Sequence, residues 1–127
     1  MPSNQEVEAA LLGKINWRRG ESGLPPYFKH ERFSGAAYLH SISIADWYNF
    51  QCNPQHAPPP FLDGCCELIA VATGVDACSV ADNLIRSLES EPGHRTQLFN
   101  GYTHAGIGVT QNPRNGAFIA TVRLKRI

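Results

Sequence analysis

Val7, Ala10, Leu11 and Ile15, followed by Arg18, recur at three- and four-residue steps, the spacing that lines one face of an α-helix. Ser3 with Glu6 ahead of them forms a capping box, in which a hydroxyl and a carboxylate satisfy each other's backbone N–H. Gly20 offers the left-handed stop such helices favour, so a first helix is predicted over residues 4 to 19. The stretch Glu21-Ser22-Gly23-Leu24-Pro25-Pro26 reads as a loop, because paired prolines break regular structure. From Phe33 the positions Phe33, Ala37, His40, Ile44 and Trp47 step by four and three, which predicts a second helix running to about Phe50.

Residues 51 to 66 carry Pro54, Pro58, Pro59, Pro60 and Gly64 and cannot be regular helix, since each internal proline costs about 3 kcal/mol there. Leu68-Ile69-Ala70-Val71-Ala72 is a short apolar run that is either strand or buried helical turn. Ser79 with Asp82 resembles another cap, and Val80, Leu84, Ser87 and Leu88 continue a third helix until Pro92-Gly93. Ala105–Thr110 and Ala117–Arg126 flank the turn-rich 112–116 segment and predict an antiparallel hairpin. Three helices and a hairpin without repeats give an α+β class, with helices packed on an antiparallel sheet.

Composition narrows the function classes. The 127 residues suit one domain, and 43% hydrophobic residues can fill its core. Eleven basic and eleven acidic side chains cancel, which argues against nucleic acid as a partner. The one basic cluster, Arg123, Lys125 and Arg126, reads as a solvated strand face. No apolar run approaches the roughly 20 residues of a membrane span, and the first residues lack the basic-then-apolar pattern of a signal peptide.

Four cysteines, Cys52, Cys65, Cys66 and Cys78, fall close together. They imply either an oxidising compartment, with a leader already removed, or thiols kept for a metal or for catalysis. A bond between adjacent Cys65 and Cys66 needs a strained ring. The two favoured pairings therefore join each of them to Cys52 or Cys78, with a zinc knot or a reactive thiol as the rival.

In order along the chain stand Ile15-Asn16 with Arg18-Arg19, Gly23-Leu24-Pro25-Pro26, His40-Ser41 with Ile44-Ala45, Glu67-Leu68-Ile69-Ala70, Pro92-Gly93-His94-Arg95 and Gly106-Ile107-Gly108-Val109. This order resembles the CAP superfamily of cysteine-rich secretory, antigen 5 and pathogenesis-related 1 proteins, especially its short bacterial SCP-like branch. The resemblance implies an α-β-α sandwich, with helices on both faces of a small antiparallel sheet, and a cleft of two histidines and up to two glutamates. Carried over by motif, Glu67 and His94 match the first acid and the second histidine, and Glu91 is a looser match to the second acid. His56, 11 residues before Glu67, matches the first histidine, whereas counting forward from His40-Ser41 puts Cys52 there. Leu68 and Leu88 stand where the family usually has Asn and Trp.

A cleft of His56, Glu67, Glu91 and His94 suits zinc or another divalent metal, with a position left for water. Without metal, His56 and His94 could act as base and acid, or the same groups could simply hydrogen-bond to one another and to backbone. The resemblance thus implies a secreted domain that binds a divalent metal and a small or lipid-like ligand. The alternative is a peptide or cell-wall hydrolase using a His-activated water or the Cys52 thiolate. His40 lies in an apolar stripe and is expected to be a core histidine, while His30 and His104 are expected at the surface.

Overall fold

The computed structural model describes residues 2–48, 62 and 64–127. Its elements are α1 (Asn4–Glu21), β1 (Phe28–Lys29), α2 (Glu31–Tyr48), β2 (Cys66–Ala72), α3 (Ala77–Ser90), α4 (Pro92–Leu98), β3 (His104–Gln111) and β4 (Phe118–Lys125). The strands form one sheet in the order β1-β3-β4-β2. β3 and β4 are the predicted hairpin, β2 lies antiparallel to β4, and β1 lies parallel to β3.

The sheet is therefore mixed where an antiparallel one was expected. Asn16 accounts for the extra strand: its Oδ1 accepts the Tyr27 N–H at 2.8 Å and its Nδ2 donates to the Tyr27 carbonyl at 3.3 Å. That grip on an extended residue just after two prolines delivers Phe28 to the edge of β3.

The capping box of α1 forms as predicted, with Glu6 N–H on Ser3 Oγ at 3.1 Å and Ser3 N–H on Glu6 Oε1 at 3.2 Å. Its apolar stripe Val7, Leu11 and Ile15 is buried, but the next residue on that face is Arg19 rather than Arg18. Arg19 is 1% exposed. Its guanidinium lies 3.8 Å from the centre of the Tyr27 ring and donates to the carbonyls of Pro25, Leu98 and Asn100 at 2.9 to 3.0 Å. Gly20 stays within the helix, and the left-handed turn falls at Gly23, with φ +76°.

The cap of α3 is Asp76, three residues before the expected Ser79. Ser79 N–H donates to Asp76 Oδ1 at 2.7 Å and Asp76 N–H donates to Ser79 Oγ at 3.1 Å. Pro92 ends α3 but also begins α4, since a missing N–H costs nothing in a first helical turn.

Helices cover both faces of the sheet. Leu68, Ala70, Ala105, Ile107, Val109, Phe118, Ala120, Val122 and Leu124 pack with Val7 and Leu11 of α1, Val80 and Leu84 of α3, and Leu98 of α4 into the main core. The opposite face carries Ile69, Val71 and Ile119 against Ile44 of α2. α2 reaches the sheet through Gly106 and Gly108: a Cβ at Gly106 would overlap the backbone of Phe33 and Ser34, and one at Gly108 that of Ala37 and Tyr38. The Gly-Ile-Gly of β3 is thus the seat of a helix laid directly on a strand.

Candidate functional site

Glu67 points to the α2 face of β2, as its alternation with Ile69 and Val71 requires. It sits opposite Arg123 of β4. Arg123 Nε donates to Glu67 Oε2 at 3.1 Å, its second nitrogen lies 3.1 Å from the same oxygen, and His40 Nε2 of α2 is 3.5 Å from Oε1. The Glu67 and Arg123 side chains are 1% and 4% exposed. Beside them, Ser41 Oγ donates to the Gly108 carbonyl and meets Thr121 Oγ1, both at 2.8 Å. Arg123, which the sequence pattern reads as solvated, is buried because β4 is covered on both faces.

His94 and Glu91 form a separate pair at the start of α4, 3.5 Å apart. Glu67, Glu91 and His94 therefore do not converge, and among the described residues no three His, Cys, Asp or Glu side chains are placed to hold a metal ion. α4 stacks against α3 and sends Leu98 into the main core, whereas Glu67 faces α2 and is committed to Arg123. Glu67, Glu91 and His94 by themselves do not make the divalent-metal centre that the resemblance implied. His56 lies outside the described residues. His40 is largely buried, as expected of a core histidine, and His30 and His104 are half-buried, with ring centres 5.9 Å apart.

Cys78 forms no disulfide with Cys65 or Cys66, although both expected pairings need one such bond. Cys65 and Cys66 lie at the start of β2, while Cys78 is in the first turn of α3, beyond its far end. A seven-residue strand separates the two ends by roughly 20 Å, against a Cα separation of at most about 7 Å for a disulfide. Cys52 lies outside the described residues. Burial pushes the Cys66 thiol above its ordinary value, against a hydrogen bond with the Tyr102 hydroxyl, the opposite of what a thiolate nucleophile needs.

A groove of about 970 Å³ opens between α1 and α2. Ala105, Ile107 and Val109 of β3 form its floor, Glu8, Leu12 and Gly13 belong to one wall, and Ser34, Gly35 and Tyr38 to the other. Glu8 sits 3.6 Å from Lys29 at the rim, which in turn is 3.7 Å from Glu31. Burial raises the Glu8 carboxyl pKa despite the opposing pull of Lys29. A Cβ on Gly13 or Gly35 would meet nothing within 4 Å, so neither glycine is explained by packing. Two glycines inside helices, each costing about 1 kcal/mol relative to alanine, were the signal in the sequence for this groove.

No family model matches the sequence, and no curated protein matches it. Solved structures do. An outer surface protein of Borrelia burgdorferi superposes with a TM-score of 0.73 at 14% identity, over 98% of this chain and 96% of that one. An extracellular protein containing an SCP domain from Bacillus anthracis gives 0.68 at 15% identity over 97% of this chain. A cysteine-rich secretory protein from Staphylococcus aureus gives 0.63 at 17% identity over 98% of this chain. The chain spans only 41% and 40% of these last two. No helix among the described residues is long and apolar enough to cross a membrane. With helices on both faces of a four-stranded sheet and these neighbours along nearly its whole length, the chain has the fold of the SCP, or CAP, domain.

Proposed function

We propose that this chain is an extracellular ligand-binding domain whose groove between α1 and α2 takes a small or lipid-like molecule. The extracellular setting is inferred from the neighbours described as extracellular and secretory. The observation that carries the ligand reading is the groove itself. Its volume of about 970 Å³ lies within the range of small-molecule sites, roughly 300 to 1,000 Å³. It has an apolar floor, a polar rim, and a glycine on each wall whose missing side chain leaves open space. Glycine is the residue that lets a ligand approach backbone closely.

Titration with the fluorescent amphiphile 11-(dansylamino)undecanoate tests this reading. Wild-type protein enhances and saturates the dansyl emission. Gly13→Leu and Gly35→Leu fill the groove with side chains that favour helix over glycine, so they fold at least as stably and bind the probe at least tenfold more weakly. Unchanged affinity in both variants would place the ligand elsewhere.

A further inference from the structure

The dipeptide Asn-Gly occurs twice in the chain, at Asn100-Gly101 and Asn115-Gly116, and the fold treats the two differently. In such a pair the peptide nitrogen of glycine can attack the carboxamide carbon of asparagine, because no Cβ stands in the way of the ring that forms. Asn100 follows α4 and is exposed, and its Oδ1 accepts the Gly101 N–H at 2.7 Å. That contact folds the carboxamide back onto the nitrogen that attacks it. Among the described residues nothing else holds the Gly101 N–H, and the Asn100 Nδ2, the group that must leave, has no partner.

A second observation concerns the same peptide group. Its carbonyl, that of Asn100, accepts from Arg19 Nη1 at 3.0 Å. Arg19 is 1% exposed and also donates to the Pro25 and Leu98 carbonyls at 2.9 Å, so its guanidinium is a fixed, buried cation. When a peptide N–H loses its proton, the negative charge spreads onto the carbonyl oxygen, and a donor already aimed where charge develops stabilises the anion without rearrangement. Arg19 therefore makes the Gly101 nitrogen a better nucleophile. At the second pair the same groups are engaged elsewhere. Gly116 N–H donates to the Asn112 carbonyl at 2.9 Å, and Asn115 Oδ1 reaches past it to accept the Ala117 N–H at 2.9 Å. Both hydrogen bonds must open before Asn115 can close a ring, which slows that site by about tenfold or more.

We propose that Asn100 and Gly101 form a self-modifying site, at which the folded protein converts Asn100 into isoaspartate and aspartate with Arg19 as the activating donor. Solvent base takes the proton from the Gly101 nitrogen, which bonds to Asn100 Cγ. The Cγ–Nδ2 bond then breaks, and Nδ2 takes up solvent protons and leaves as ammonia. A cyclic succinimide remains, and a water opens it. Addition at Cγ breaks the new bond to nitrogen and gives aspartate. Addition at the main-chain carbonyl carbon breaks its bond to the Gly101 nitrogen instead and gives isoaspartate, in which the chain runs through Cγ. The Gly101 nitrogen regains a proton on either route, so water is consumed, ammonia is released and no redox partner is needed. Both products add a negative charge to a chain whose formal net charge is zero.

The test incubates the full chain, folded or unfolded in guanidinium chloride, in mildly alkaline oxygen-18 water and maps its peptides by mass spectrometry. The heavy oxygen separates conversion before digestion from conversion during it. In the folded protein Asn100 converts at least about tenfold faster than Asn115, with isoaspartate among its products. In guanidinium chloride, where neither set of hydrogen bonds survives, the two sites convert within about threefold of each other, and Asn100 converts more slowly than in the folded protein. Gly101→Ala, whose added Cβ meets only the movable end of Arg126, slows the folded reaction at Asn100 by about tenfold. The proposal is overturned if folded Asn100 is no faster than Asn115, if it is no faster folded than unfolded, if it yields aspartate alone, or if Gly101→Ala leaves its rate unchanged.

Discussion

The two faces of the sheet are held by different physics. Toward α1, α3 and α4, the strands present Leu68, Ala70, Ile107, Val109, Val122 and Leu124, none more than 4% exposed, and the contact is apolar and non-directional. Toward α2, the same strands present Gly106, Gly108, Thr121, Glu67 and Arg123 beside a small apolar cluster of Ile69, Val71 and Ile119, and the contact adds bare backbone, one hydroxyl pair and a buried ion pair to that cluster. Dispersion and burial tolerate exchange of one aliphatic side chain for another of similar volume. A helix laid on glycine and a carboxylate matched to a guanidinium do not. The α1 face therefore supplies stability, and the α2 face fixes where its helix sits, which in turn sets the width of the groove.

The largest effect separates neighbours in β3 that face opposite ways. Gly108→Val drives a branched side chain into the backbone of Ala37 and Tyr38 and is expected to lower stability by about 4 kcal/mol or more. Ile107→Val, one residue away in the apolar core, is expected to lower it by about 1 kcal/mol. Urea unfolding of the two variants measures both, and equal losses would mean that α2 is not seated on the glycines.

Next comes the ion pair. Glu67→Leu removes the carboxylate that Arg123 meets in a site where its side chain is 4% exposed, at an expected cost of about 3 to 5 kcal/mol. Adding Arg123→Met removes the buried charge and recovers most of that loss, because an apolar pair of similar volume is often as stable as a buried ion pair. A double-mutant cycle in urea reads the coupling; additive losses would show that the two groups act separately.

The same division explains how far the fold was legible in the sequence. Val7, Leu11 and Ile15, the Ser3 cap, the third helix and the hairpin followed from periodicity and turn chemistry, because they belong to the apolar face, whose signal is the spacing of apolar residues. Arg123 reads from the sequence as a surface charge, and Arg18 instead of Arg19 as the end of the first helix's stripe, yet Arg19 and Arg123 are the buried ones. Their burial depends on carbonyls and a carboxylate supplied from up to 81 residues away, and no local pattern encodes that. β1 escaped notice because two residues have no period. Of the candidate metal ligands, Glu67, Glu91 and His94 are not brought together: order along the chain placed Glu67 and His94 in matching motifs, but strand alternation turns Glu67 toward α2, where Arg123 meets it. The groove was written in Gly13 and Gly35, which as isolated glycines inside helical patterns carried no direction.

On the apolar face, one polar group gives a pH signature. Burial pushes the Tyr27 phenol up to about 12, against the pull of the Arg19 charge, and its hydroxyl donates to the Leu98 carbonyl at 2.8 Å. Because the folded state holds this proton more tightly than the unfolded chain, whose phenol titrates near 10, the contribution is complete below about pH 10. It is lost as pH rises through about 12, by roughly 2 to 3 kcal/mol. Urea midpoints measured across that window fall for the wild type and less steeply for Tyr27→Phe; parallel slopes would show that Tyr27 is not the group responsible.

The smallest expected effect tests whether the hydroxyl pair on the α2 face works as one unit. Ser41→Ala removes the donor to the Gly108 carbonyl and leaves Thr121 Oγ1 buried without its neighbour, which should lower stability by about 1 to 2 kcal/mol. The β-ladder still satisfies the Gly108 carbonyl through β4, so the loss falls mainly on Thr121. Replacing both, Ser41→Ala with Thr121→Val, keeps the shape of the contact and removes the unmatched hydroxyl. The double variant should then be no less stable than Ser41→Ala alone, since two polar partners removed together leave nothing unsatisfied. A double variant much weaker than the single would mean that each hydroxyl has its own separate role, and that α2 is positioned by the glycines and the ion pair without help from this contact.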